Sequence, residues 1–194
     1  MHIPKHFAVT DKNAIYAFIK QNAFGQLISN CKGRIFSSHI PLLLTEDKSR
    51  LVGHLGINNP QVEGIQGQEV LVTFQGPHDY ISPSWYKKRG VPTWNYQVVH
   101  IYGRCEVFTE PDTLRTAVED LTAKYESHLS RPWQPDYNAT MLKAIVGFEV
   151  LVDDIQCQFK LSQNRSAAER EEIITQLRVL GSNQLADAMS RNEL

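Results

Sequence analysis

The side chains best suited to chemistry gather in two regions. The first runs from Phe74 to Gly103, where Tyr80, Trp85, Tyr86, Trp94 and Tyr96 are interleaved with Pro77, Pro83 and Pro92 and with His78 and His100. Gly76-Pro77 and Ser82-Pro83 read as turns, because proline fixes its own φ and holds its predecessor extended. Flat amphipathic rings set in such turns suit either a packed loop over the end of a barrel or a roof over a planar ligand. The second region is Asn58 and Asn59 before Pro60, with Ser37, Ser38 and His39 on a preceding strand. Asparagine caps a helix and proline fits its first position, so Asn59-Pro60 predicts a helix start, which is a place for a phosphate.

Other chemistries lack their signatures. There is no GxGxxG and no Walker loop, which argues against a Rossmann or P-loop nucleotide site. His39, His54, His78 and His100 match no metal-ligand spacing, and the expectation is no bound metal. No Ser/His/Asp or Cys/His order points to a nucleophile, so no catalytic residue is assigned. Lys87-Lys88-Arg89 reads as a solvated loop tip or as a phosphate-contacting tooth.

The elements that must position these groups follow from pattern. Thr10 and Asp11 can cap a helix reaching about Asn22, with Ile15, Phe18 and Ile19 at core spacing. Phe24–Ser29 and Arg34–Leu44 read as a hairpin about Lys32-Gly33, and Leu51–Leu55 and Val70–Phe74 as short strands. From Gln97 to Phe108 the chain alternates, with Val99, Ile101, Gly103, Cys105 and Val107 on one face. A helix from Pro111 to Ser127, a helical turn near Met141, and strands over Ile145–Ile155 and Gln158–Leu161 follow. Ser166 with Glu169 forms a capping box for a helix ending at Gly181, and Ser182 caps the last one. Several antiparallel strands with helices in the connections and at both ends predict a mainly β, α+β fold, a closed or nearly closed barrel.

The 194 residues suffice for one domain, or for one domain with a helical appendage. Three cysteines without CxxC pairing suit reduced thiols in a cytoplasmic protein. No apolar run is long enough to span a membrane, and no signal-peptide pattern opens the sequence. A net charge of −1 supplies no general pull toward nucleic acid. The closing helices look roughly like a helix-turn-helix, yet residues 165–194 hold four arginines against five acidic residues. Their apolar positions, Ile173, Ile174, Leu177, Leu180 and Leu185, suit covering the barrel or meeting another subunit.

The blocks GPHDYISPSWY (Gly76–Tyr86) and VPTWNYQVVHIYG (Val91–Gly103) resemble those of the PaiB family, FMN-binding negative transcriptional regulators of split-barrel fold. MHIPKHF at the start, SSHIPLLL (Ser37–Leu44), GHLGINNPQ (Gly53–Gln61) and GFEVLV…KLSQNRS (Gly147–Ser166) resemble its other blocks, in order. The resemblance implies an antiparallel split β-barrel over residues 1–165 with a C-terminal helical extension, 166–194, packed on the barrel or a partner. It implies a cytoplasmic homodimer in a bacterium, with FMN between subunits and DNA as a regulatory partner. Carried over by position, Ser37, Ser38, His39, His54, Asn58, Asn59, Trp94, Asn95, Tyr96, Lys160, Gln163, Asn164 and Arg165 would bind the cofactor. The sequence departs from the family's pattern at Ile57 and Val62, where Arg and Trp are expected. That removes a cation from the phosphate site, for which Arg34 or Arg165 could substitute. Alternative roles on the same fold are an FMN-dependent oxidoreductase or a heme-binding protein, since one proximal histidine suffices for heme.

Overall fold

The structure is a computed structural model and describes residues 1–86 and 89–191. Helix α1 (Lys12–Gln21) begins where Asp11 Oδ1 accepts a bond from Asn13 N–H at 2.9 Å, and it buries Ile15, Phe18 and Ile19. Strands β1 (Phe24–Cys31) and β2 (Arg34–Pro41) form a hairpin in register from Cys31↔Arg34 to Phe24↔Pro41. Its two turn residues, Lys32 and Gly33, both hold positive φ (53° and 84°), the backbone that matches the twist of paired strands. Strand β3 is only Leu43–Leu44 and pairs with β4 (Arg50–Gly56). The long strands are β5 (Glu69–Ile81), β6 (Thr93–Phe108) and β7 (Ile145–Lys160). The helices are completed by α2 (Pro111–Glu126), α3 (Ala139–Leu142), α4 (Ala167–Val179) and α5 (Asn183–Arg191). At α4 the Ser166–Glu169 capping box is fully formed.

The sequence expectation of a closed or split barrel is corrected here. The fold is mainly β with flanking helices, but its seven strands lie in the open order β2-β1-β5-β6-β7-β4-β3. Closure requires the two edge strands to pair along their length with a consistent stagger. The edges here are β2 and β3, and the expected single strand Arg34–Leu44 is broken at Leu42. That residue gives its N–H to Ala23 O at 2.9 Å and its side chain to the core, leaving a two-residue edge too short to seal a barrel.

Two further expectations change. Gly76-Pro77 is not a turn but lies within β5, where extended geometry suits proline and only one donor is lost. The segment read as two strands is one, β7, which passes Asp153 and Asp154 with both exposed. Of the basic run, Lys87 and Lys88 lie outside the described residues, and Arg89 is exposed.

The chain divides into two compact units. One comprises Met1–Ile15, Gln75–Val99 and Gln156–Leu194, and its core includes Phe7, Ile81, Leu161, Ile173, Leu177 and Met189. The other comprises Tyr16–Phe74 and His100–Ile155, with Leu27, Leu51, Phe74, Ile101 and Phe148 fully or almost fully buried. In this second unit the face of β6 expected to be buried is so at Ile101, Gly103 and Cys105, while Val107 is half-buried. A β-carbon on Gly103 would sit 2.0 Å from Leu151 O and 2.8 Å from Val150 Cγ1. Backbone cannot yield as a side-chain tip can, so this approach requires glycine. Gly103→Ala is expected to cost about 3 kcal/mol or to abolish folding. Urea unfolding measures it, and an unchanged midpoint would mean that the strands tolerate a wider spacing.

Candidate functional site

The residues named from sequence fall into separate groups, one in each unit. In the second unit, β2 carries Ser37, Ser38 and His39, and β4 carries His54. The turn after β4 carries Asn58 and Asn59. Side chains alternate along a strand, so Ser38 points away from Ser37 and His39. Ser38 joins Asn59: Asn59 Nδ2 donates to Ser38 Oγ at 2.8 Å, and Ser38 Oγ donates to Gln61 Oε1 at 2.5 Å. Asn59 also caps the short 3₁₀ helix Pro60–Glu63 by accepting from Gln61 N–H. Gln61 is the buried hub, and its Nε2 donates to Ser29 Oγ (2.8 Å) and Leu27 O (3.2 Å).

On the opposite face of β2, His39 is exposed and stacks on Phe24 at 6.4 Å between centroids. Ser37 Oγ makes a long bond to Gln26 Oε1, 3.4 Å, and Asn58 is exposed. At the position where the family pattern has arginine, Ile57 borders a cavity of about 270 Å³ that also holds Arg115 and Lys143. Arg34 lies exposed at the hairpin turn.

The first unit holds the more suggestive geometry. Strand β7 ends at Lys160, and the turn that follows places Ser162 at φ 62° and closes with Arg165 N–H on Ser162 O at 3.0 Å. Gln163 locks that turn from both sides: its Oε1 accepts from Leu161 N–H (2.7 Å) and its Nε2 donates to Phe159 O (2.5 Å). The turn and the start of β6 border a cleft of about 160 Å³ that includes Thr93, Asn95, Lys160, Ser162, Asn164 and Arg165. Lys160 Nζ donates to Thr93 Oγ1, and burial pushes its pKa below the ordinary lysine value. The Arg165 guanidinium lies 3.9 Å from the centre of the Tyr86 ring and 4.0 Å from Glu169 Oε1. Among the described residues no carboxylate pairs with Lys160.

Asn95 is wholly buried at the floor of this cleft; its Nδ2 donates to Ser162 Oγ at 2.9 Å. Its neighbours Trp94 and Tyr96 face the other way. Trp94 is about half exposed and forms an aromatic surface with His78 (6.4 Å, 34°) and Tyr80 (6.3 Å, 72°). His78 Nδ1 is within 3.1 Å of Gly76 O, which orients its ring.

The structure thus brings Asn95, Lys160, Asn164 and Arg165 together, uses Gln163 as their brace, and joins Ser38 to Asn59. Sequence reasoning missed Thr93, Ser162 and Gln61. Ser162 and Gln61 lie inside quoted blocks, KLSQNR and NNPQ, and polar residues between such neighbours were the available signal. Among the described residues, no three of His, Cys, Asp and Glu are gathered as for a metal ion, and no helix is long and apolar enough to cross a membrane.

The cations, hydroxyl and amides of the cleft suit a phosphate, and the Trp94 surface suits a planar ring system. Comparison with known proteins identifies the family. Residues 1–154 match the family described as "Putative FMN-binding domain". A Bacillus subtilis (strain 168) protein, protease synthase and sporulation protein PAI 2, is 41% identical over 185 residues, spanning 91% of this chain and 89% of that one. Two solved structures share the fold at a TM-score of 0.66 and 14% identity. The flavocytochrome Anf3 from Azotobacter vinelandii covers 81% of this chain and 72% of its own, and the FAD and heme binding protein from Mycobacterium smegmatis covers 84% and 78%. The chain belongs to the FMN-binding domain family. It is PaiB-like, as its sequence blocks indicated.

His54 gives a pH test of the second unit. Burial holds its pKa below the ordinary 6.5, so the folded chain keeps a neutral ring where the unfolded chain has taken up a proton. Stability from this group is complete above 6.5 and is lost as pH falls through the folded value. Burial lowers His100 in the same sense. The urea midpoint should fall on acidification below that point, and His54→Gln should fall less steeply. Identical slopes in both proteins would show that His54 is solvated.

Proposed function

We propose that the cofactor's phosphate is held in the first unit by Lys160 and Arg165, with the Ser162, Thr93 and Asn164 side chains completing the cradle. The observation that carries this reading is the pairing of two cations, one of them without a carboxylate partner, in a cleft otherwise lined by hydroxyls and amides. Partial burial strengthens such charges toward an anion. A volume of about 160 Å³ suits one end of a flavin nucleotide and not the whole, since small-molecule sites run to about 300–1,000 Å³. The ring system rests on aromatic side chains, for which Trp94 with Tyr80 and His78 is the exposed surface. FMN supplies reversible hydride and electron chemistry when bound; the residues here bind and orient.

The remaining positions, Ser37, Ser38, His39, His54, Asn58 and Asn59, complete the site in a homodimer with FMN at the subunit interface. Support comes from the exposed His39–Phe24 face and from the single-chain cleft being too small. The B. subtilis relative's name ties it to protease synthesis and sporulation, which supports a regulatory role, a transcriptional repressor in a bacterial cytoplasm. Contact with DNA is not assigned to α4 and α5. There Arg178 pairs with Asp187 at 3.0 Å and Arg170 donates to Met189 O, so two of the three arginines of that helix pair are engaged within it, and Arg191 is exposed at its end.

The test is titration of purified protein with FMN, followed by quenching of flavin fluorescence. Saturable binding is expected, and Trp94→Ala should weaken it by about three- to tenfold through loss of ring contact. A protein that quenches no flavin would remove the reading, and a Soret band in the purified material would assign heme in its place.

A further inference from the structure

The second unit contains a larger concavity that none of the cofactor residues enters. It measures about 1,080 Å³ and lies among the second half of α1, the strand Leu43–Leu44, the turn before β4 and the end of α2. Three lysines border it, one from each of three segments distant in sequence: Lys20, Lys48 and Lys124. Two of them lie over tyrosine rings: Lys48 Nζ is 6.0 Å from the centre of Tyr16, and Lys124 Nζ is 5.6 Å from that of Tyr125. None of the three makes an ion pair among the described residues, and Glu46 is the one carboxylate in the lining. Leu43 and Leu44 give the floor an apolar, half-buried surface.

We propose that this groove is a second ligand site, for an organic anion with a flat apolar body: a ring system bearing one or more acidic groups. Convergent ammonium groups without acidic partners repel one another, and an anion relieves that repulsion. Burial and the neighbouring Lys20 charge together hold Lys124 below the ordinary lysine pKa. An apolar floor with tyrosine rings beside the cations provides the surface on which a ring lies.

Lys48 can be probed by substitution. It holds φ at 63°, a backbone that glycine adopts freely and a lysine does not, and its Nζ reaches Thr45 O at 3.4 Å. Glycine would fit this turn with less strain, so the lysine side chain can be removed there without straining the backbone. Such a site, apart from the cofactor residues, would let a metabolite of this class tune a regulatory protein.

The probe is 8-anilinonaphthalene-1-sulfonate, added to the full-length protein with and without saturating FMN. One probe per chain is expected to bind saturably in both cases, with an affinity that weakens as salt is raised. Lys20→Glu with Lys124→Glu should weaken the probe by about tenfold or more while leaving FMN affinity unchanged. Lys48→Gly should weaken the probe without lowering thermal stability, a result no folding defect produces. Displacement by naphthoate would assign the acid as a carboxylate, and displacement by naphthyl phosphate as a phosphate. Displacement by neither, competition by FMN, or binding indifferent to the lysine substitutions would overturn the proposal.

Discussion

A buried amide that must be satisfied governs the cleft between the start of β6 and the turn after β7. Asn95 has no exposed surface, and an unpaired amide in that position would cost several kcal/mol, on the order of 2–3. Its Nδ2 has two partners, Ser162 Oγ at 2.9 Å and Met189 Sδ at 3.4 Å, the latter a weak acceptor. The bond to Ser162 fixes the turn after β7 against the start of β6. That turn carries Lys160, Asn164 and Arg165, so the charge pattern of the cleft depends on one neutral pair beneath it. Ser162 stands at positive φ, where glycine would be less strained but would lack the hydroxyl that Asn95 requires. The contact with Met189 draws α5 into the same arrangement, which gives the C-terminal helices a structural part in that cleft.

The second unit follows the same logic around Gln61. Its side chain bonds to Ser38, Ser29 and Leu27 O, and Asn59 holds the turn from which Gln61 enters the interior. Ser38 and Asn59 are therefore partly committed to the fold, and Ser37 and His39 keep a face open. The apolar cysteines of the sheet contribute no chemistry: burial pushes both Cys105 and Cys157 up to about 12, which keeps these thiols protonated near neutrality.

Local signals in the sequence were legible wherever one residue type answers one backbone need. Asn59-Pro60, the Ser166–Glu169 capping box and the Lys32-Gly33 hairpin stand as read, and the alternation read from Gln97 to Phe108 holds from Val99 to Cys105 but fades at Val107, which is half-buried like its neighbours. The misreadings came from interactions remote in sequence. Gly76-Pro77 carries a turn signature, yet strand pairing on either side holds it extended. Arg34–Leu44 reads as one strand, yet Leu42 turns into the core and leaves the sheet open at that edge. Among the site residues, Lys160 and Arg165 were named through their family block, while Thr93 and Ser162, inside quoted blocks as well, were not singled out until β6 and the turn after β7 met. Nothing in their spacing, sixty-nine positions apart by subtraction, announces that meeting.

The departure at Ile57 gains a physical setting from these arrangements. Isoleucine there borders a cavity with Arg115 and Lys143, and the cations of the phosphate cradle proposed above are Lys160 and Arg165. The most direct test is a comparison of FMN with riboflavin, which lacks the phosphate, by flavin-fluorescence titration of the full-length protein. FMN should bind tighter by about ten- to a hundredfold, the range for charge-assisted bonds, and Lys160→Gln with Arg165→Gln should erase that advantage while leaving riboflavin affinity in place. Equal affinity for the two flavins, or a preference for FMN that survives the double substitution, would contradict the assignment of the cleft.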